Sequence, residues 1–401
     1  MKKIITLSLL SSTLLLSSGY RLPESSLNAT ALSAAYIANA YGADAAYYNP
    51  ANMALDGENA HQVEGALTYI HLSKTKYTDY RNPAFNSRSR SEDLAAPSLF
   101  YVSPEFNNLR YGASLTVPGG LTKRWNSPFA KTFAQEFTLK IIEFNPVLAY
   151  KVSDTFAVGG GLRVIYSEGI VKSDGSGINK PAIRDMEAQT TEYGYNLALS
   201  YKPLSNLTFS STYRSNVDIN EEGNAKLYLS GTKLYDGGAS IEVPLPAVAA
   251  FAVAYTMEST TVEFVYDRTF WSAYENLDFK FKDDVPIALK SAFDDPKKRD
   301  WEDSNAFRLG VTQNFGDLTL MGSIAVDKNP VPSKNLGFEL ADSDAVLYAG
   351  GFRYYINSQL SLGASVLYDK KESRRVNNGE INGKFKDASA VLVTTGLSYK
   401  F

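Results

Sequence analysis

What most constrains this chain is the way its connections are sorted. After about residue 60, segments alternating with period two follow one another, and the links between them are by turns short and long. The short links lie at 104–108, Ser153, 203–205, 258–259, Gly316 and Asn357, each with its flanks. The long ones lie near 74–93, 121–133, 173–190, 221–244, 273–303, 328–344 and 371–384, and are rich in Asp, Lys, Asn, Ser and Gly. Six short turns on one side and seven long loops on the other is the pattern of an outer-membrane barrel. A soluble β-sandwich has no reason to sort its loops in this way.

About fourteen segments carry the alternation: 60–73, 94–103, 109–120, 134–151, 154–172, 191–202, 206–220, 245–257, 260–272, 304–315, 317–327, 345–356, 358–370 and 385–401. In the last, Val391, Val393, Leu397, Tyr399 and Phe401 alternate with Thr394, Gly396, Ser398 and Lys400. Many segments reach ten residues, the length at which a tilted strand crosses a bilayer. A closed barrel gives every backbone N–H and C=O an internal partner, with the apolar alternate face on lipid and the small or polar face on the lumen. Of the 26 Tyr and 21 Phe, many stand near segment ends (Tyr69, Phe100, Tyr150, Tyr166, Tyr201, Tyr255, Tyr368), which suits aromatic girdles. The expected fold is all-β: a transmembrane antiparallel β-barrel over 60–401.

The N-terminus reads differently. Lys2 and Lys3 followed by a short apolar core over 4–16 form a secretory signal, 1–17, too short to span a bilayer. Its removal takes the formal charge from −3 to −5. Residues 18–59 then lack period-two order. They are rich in Ala, with scattered apolar residues such as Leu22, Leu27 and Ile37, and Asn49-Pro50 breaks any helix there. That composition favours packing over a disordered tail, so a plug inside the barrel is expected.

Several functions are excluded by composition. No cysteine is present, so thiol catalysis, thiolate metal sites and disulfides are out. The two histidines, His61 and His71, leave little for His-based catalysis, and the hydrolase, P-loop and zinc-protease motifs are missing. No enzyme activity, metal or cofactor is expected. The lack of basic excess argues against nucleic acid.

Ordered motifs carry a resemblance. Gly19-Tyr20-Arg21-Leu22, the small-residue run to Tyr36, and Asp44 through Asn49-Pro50-Ala51 resemble the N-terminal hatch of the FadL/TodX family of outer-membrane channels for long-chain fatty acids and other hydrophobic compounds. The stretch 114–121 (SLTVPGGL) resembles that family's kinked third strand, and 324–332 (IAVDKNPVP) its Asp-x-x-Pro-x-Pro stretch. The stretch 338–357, with Asp342 and Asp344 before a Tyr- and Gly-rich strand, resembles the family's next segment. The terminal Tyr399-Lys400-Phe401 looks like the aromatic signal of outer-membrane barrels. The resemblance implies a monomeric fourteen-stranded barrel plugged by a hatch. It also implies capture near the loops 173–190 and 221–244, an apolar pocket, hatch movement, and lateral exit into the membrane at the third-strand kink.

Residue by residue, the resemblance puts Tyr20 in the pocket and aligns Lys297 with a lysine that meets the substrate carboxylate. Lys297 also sits in the charge run 294–299, which an ordinary solvated loop would explain. Where the family places an arginine just beyond its fifth strand, this chain has Ser173, with Lys172 beside it as a substitute. Asp327 falls on the lumen face by alternation, since a carboxylate on lipid would be costly; it is read as a contact to hatch or ligand head group, or as a plain lumen carboxylate. Pro118-Gly119-Gly120 removes a ladder donor and permits a bend, giving either a lateral gate or a simple strand end. Asn49, Pro50 and Ala51 are read as a hatch turn. The expected partners are a long-chain fatty acid or similar hydrophobe, and outer-membrane lipid and lipopolysaccharide; loop arginines Arg81, Arg88, Arg90 and Arg124 either touch lipid phosphates outside or belong to ordinary solvated loops. The competing readings are a porin for small polar solutes and a surface adhesin acting through the long loops.

Overall fold

The computed structural model describes residues 19–401; the expected signal segment, 1–17, lies outside the described residues. Among the described residues fourteen antiparallel strands close into a barrel. In chain order they are Gln62–Leu72, Glu92–Val102, Leu109–Arg124, Glu136–Ser153, Phe156–Asp174 and Ala182–Leu204. The seventh comes in two pieces, Leu207–Arg214 and Val217–Leu229, as does the eighth, Thr232–Leu245 and Val248–Met257. The rest are Thr260–Thr269, Ser304–Phe315, Leu318–Asp327, Ala345–Tyr355, Leu360–Lys371 and Ser389–Lys400. The last strand pairs with the first along its whole length, from Gln62 opposite Lys400 to Leu72 opposite Ala390, so no edge is left. Among the described residues no helix is long and apolar enough to cross a membrane.

The alternation decides the faces. In the last strand Val393, Leu397 and Tyr399 are exposed on the outside while Leu392 and Thr394 are buried inside. In the sixth, Tyr193, Tyr195, Leu197, Leu199 and Tyr201 form the outer band. Inside, residues 19–55 fold against the wall and fill the lumen, with short helices at Leu27–Ala31, Ala45–Tyr48 and Pro50–Leu55. Their small side chains allow this: Ala29, Ala31, Ala35, Ala43, Ala46 and Ala51 are fully buried.

Two expected loops prove to be largely strand. Most of 173–190 and 221–244 extends the fifth to eighth strands beyond the lipid-facing band. There the outward residues are charged (Glu168, Lys172, Asp185, Glu187) and the inward ones apolar (Val171, Met186, Ala188, Leu227, Ile241, Val243). Above the membrane, water lies outside the wall and a loop core inside it, so the polarity of the two faces inverts. That core packs Tyr77, Trp125, Phe129, Phe338 and Phe385 together, with ring centroids of Phe338 lying 4.9 Å from Tyr77 and 5.0 Å from Trp125. It roofs the long-loop end.

Candidate functional site

The plug is tied to the wall by buried polar groups. Asn49 caps the helix that Pro50 starts, its Oδ1 accepting from Ala51 N at 3.2 Å. Its Nδ2 donates to Ile37 O at 3.0 Å and to Ser200 Oγ on the wall at 2.9 Å. Gly159 of the fifth strand lets this turn come close: a Cβ there would stand 2.8 Å from Ala51 N. Glu263, 3 % exposed, accepts from the amides of Ile37 (2.7 Å), Ala38 (2.6 Å) and Asn39 (3.2 Å). Arg353 bridges Glu64 (2.9 Å) and Asn28 (3.0 Å).

Asp327 belongs to the same kind of link. Arg308 Nη2 donates to its Oδ2 at 3.3 Å, while Nε reaches Asp267 at 2.8 Å and Nη1 reaches the plug at Ser33 O, 3.0 Å. Plug residues Glu24 and Arg21 close the cluster, 3.8 Å from Arg308 and 3.4 Å from Asp267. Asp327 thus faces inward, at the plug-to-wall joint, and lines neither of the two cavities at the long-loop end. Of its readings from sequence, the contact to the hatch is the one this geometry matches, made through Arg308.

The third strand is irregular where Pro118 falls. Its register against the fourth strand skips between Thr116 (opposite Glu143) and Gly119 (opposite Ile141), a bulge of two residues against one. The strand continues to Arg124, so the proline does not end it. Against the second strand it pairs only from Gly112–Leu115. Beyond Leu115 no ladder joins the two until Arg90 N donates to Arg124 O at 2.9 Å. Into this interrupted stretch the plug sends its first residues. Leu22 N donates to Pro118 O and Gly120 N to Tyr20 O, both at 2.8 Å. Only glycine permits this at 119, where a Cβ would lie 2.6 Å from Tyr20 O.

Tyr20, 3 % exposed, has its ring edge-on to Trp271 at 4.7 Å and its hydroxyl on Pro244 O. Burial raises the Tyr20 phenol well above its usual value, so it is neutral. With Leu121, Leu139, Val243 and Trp301 it lines a narrow apolar cleft. That cleft shares Phe137, Arg299, Asn335 and Glu339 with a wider cavity above it, of about 350 Å³. The wider cavity is cationic: Arg184, Lys297, Lys298, Arg299 and Lys334 stand against Asp295, Glu339 and Glu380. Arg299 is used by Glu339 (3.0 Å) and Lys334 by Asp300 (2.9 Å).

Arg184 is different. It is 5 % exposed, its guanidinium lies 4.1 Å from the Phe279 ring centre, and among the described residues its Nε and Nη1 have no hydrogen-bond partner. Burial brings it down to about 10, still charged at neutral pH. Lys297 is exposed at the mouth, yet its ammonium is lowered by loss of water in the concavity and then by Arg184 beside it. Lys172 is not brought here. It points outward, paired with Asp185 (3.0 Å) and Glu187 (3.4 Å), because the strand alternation puts Ser173 inside instead. Directly across the ladder from Ser173 stands Arg184. Sequence reading missed Arg184 because its segment read as loop; inward parity from Asn196 and Ala198 back along the strand would have found it.

The chain matches the model of the family described as outer membrane protein transport protein (OMPP1/FadL/TodX) over residues 8–401. It is 22% identical over 379 residues to a long-chain fatty acid transport protein of Escherichia coli O6:H1, covering 82% of this chain and 81% of that protein. It is also 22% identical to outer membrane protein P1 of Haemophilus influenzae, covering 75% of this chain and 70% of that one. Among solved structures, a Pseudomonas aeruginosa FadL homologue superposes with a TM-score of 0.81 at 17% identity, covering 96% of this chain and all of that one. The Pseudomonas putida toluene transporter TodX superposes at 0.72 and 15% identity, covering 94% and 98%.

Proposed function

The chain belongs to the OMPP1/FadL/TodX family of outer-membrane transport proteins, and from that premise we propose that it is a channel for passive uptake of long-chain fatty acids. The family's members are transport channels, not enzymes, and the protein is an outer-membrane β-barrel with its long loops outside. Named relatives carry fatty acids or toluene. One observation favours the fatty acid here. Among the described residues the buried Arg184 leaves its Nε and Nη1 unpartnered in a cationic cavity that continues into an apolar cleft. A guanidinium left without an acceptor in a low-dielectric site suits a carboxylate, which it holds by charge-assisted, bidentate bonds. A plain hydrocarbon offers it nothing.

The ligand's carboxylate would sit between Arg184 and Lys297, and its chain would enter the cleft beside Tyr20 and Trp301. The cleft is too narrow as it stands, so the tail advances only if Tyr20 and the segment it leads withdraw. Those residues are bonded to Pro118 and Gly120, where the wall lacks its ladder. Withdrawal of the plug would therefore open the cleft and the gap between the second and third strands together. Exit through that gap delivers an apolar molecule sideways into lipid, down its own partition gradient and with no energy source. The protein would act as a monomer.

The test is a comparison in liposomes of a labelled long-chain fatty acid, the alcohol of equal length and a small sugar. The proposal expects saturable fatty-acid binding, weaker binding of the alcohol and no sugar flux. Free sugar flux without fatty-acid binding would make the barrel a porin. Equal binding of acid and alcohol, abolished by neither Arg184→Gln nor Lys297→Gln, would remove the carboxylate reading.

A further inference from the structure

The long-loop end carries a second concentration of charge, away from the cavity. The first and seventh long loops build a four-stranded sheet from Lys76–Asp79, Ser87–Arg88, Arg374–Asn377 and Asn382–Lys386. Tyr77, Val376 and Phe385 turn one face of it into the loop core. Register decides the make-up of the other face. Arg88 stands opposite Lys76, Lys76 opposite Lys386, and Lys384 opposite Arg375. Five cations therefore lie side by side in two adjacent rows.

Like charges directly opposite one another destabilise a sheet. Here the pattern occurs three times, in a chain whose net charge is −3, so it does not follow from a basic composition. Among the described residues one carboxylate answers it: Asp387 lies 2.6 Å from Lys76. The bond from Lys76, with Lys386 and Arg88 nearby, holds the Asp387 carboxyl below its usual value. Among the described residues Arg88, Arg375, Lys384 and Lys386 have no ion pair. The sheet's height above the membrane is limited by its connections. Lys76 follows the end of the first strand, Leu72, by four residues, so it stands at most about 14 Å beyond it. Lys386 precedes the start of the last strand, Ser389, by three residues. The inner face is occupied by the loop core, so the cationic face is turned away from the lumen, just above the rim of the barrel.

We propose that this face binds the phosphate groups of lipopolysaccharide in the surrounding outer leaflet. The surface fits several phosphates at once: lysine ammoniums act as point charges and the two arginines as forks. Binding there would relieve the cross-strand repulsion and fasten the two loops that roof the lumen.

The experiment uses the full protein, extracted and delipidated in detergent, with deep-rough lipopolysaccharide as probe. The comparison variant is Arg88→Gln/Arg375→Gln/Lys384→Gln/Lys386→Gln, all surface positions outside the cavity. Wild type should bind at least about tenfold more tightly than the variant at low ionic strength, with the difference collapsing in ~1 M salt. Dephosphorylated lipopolysaccharide should bind wild type no better than the intact form binds the variant. Arg88→Lys/Arg375→Lys should keep most of the affinity, which separates charge loss from misfolding. Fatty-acid uptake should be the same in all, so this proposal and the channel reading fail separately. Equal affinity of wild type and quadruple variant overturns the proposal. So does complete displacement by millimolar inorganic phosphate, which marks a simple anion site. So does equally tight binding of phosphatidylglycerol vesicles, which marks general attraction to anionic lipid.

Discussion

Arg184 owes its place to the residue across the ladder. Ser173 and Arg184 face inward together, so a cation carried by the sixth strand reaches the space that a cation following the fifth would reach. Charge-assisted hydrogen bonds contribute about 1.5–3 kcal/mol. Arg184→Gln should therefore weaken fatty-acid binding by about 10- to 100-fold and leave the matching alcohol unchanged, as titration with both ligands would show. Lys297 adds a pH dependence whose sign is fixed by its lowered proton affinity. The carboxylate needs the ammonium charged. Affinity should be full at neutral pH and fall as pH rises through the lowered pKa, before an ordinary lysine near about 10.4 loses its proton. Lys297→Met should bind more weakly and lose the part of the fall that Lys297 contributes, keeping only that of Arg184 at about 10; identical profiles for wild type and Lys297→Met would count against the role.

At the scale of elements, the informative feature is a polarity inversion along single strands. In the sixth strand odd positions face outward throughout. They are Tyr193, Tyr195 and Leu197 in the lipid band, but Asp185 and Glu187 above it. A reading that seeks an apolar outer face stops at the membrane boundary, and so 173–190 reads as loop. The plug's joints are also element-level devices. Glu263 satisfies three successive amides with one carboxylate. Glu263→Gln should cost about 1–3 kcal/mol at that joint and speed hydrogen exchange at Ile37, Ala38 and Asn39 by about tenfold or more, with the barrel strands unaffected. At the kink, Gly119→Val places a side chain against Tyr20 O. It should release residues 20–22 from the third strand, read as faster exchange at the Leu22 and Gly120 amides. Unchanged protection there would mean that the bulge can move aside.

For the whole molecule, the barrel and its plug divide the labour. The wall closes on itself without the plug, since first and last strands pair along their full length. Deleting residues 20–55 should therefore leave a folded barrel whose lumen passes small sugars, measured by liposome swelling, whereas the full chain excludes them. A deletion variant that stays tight would place the seal in the loop core of Tyr77, Trp125 and Phe338 instead.

Residue pattern alone suffices for the barrel and its strand number. Period-two alternation and loop sorting are local properties, and lipid on one side allows one solution for the backbone's hydrogen bonds. The bulge at Pro118 and the helix start at Pro50 are local in the same way, because proline acts where it stands. Which distant side chains meet was settled by folding in three dimensions. Arg184 and Lys297 converge through a ladder register and a folded loop, Asp327 goes to the plug and not to the cavity, and Lys172 turns outward by a shift of one residue. A strand reverses every side chain's face at each step, so a one-residue difference moves a charge from cavity to solvent while the composition stays the same.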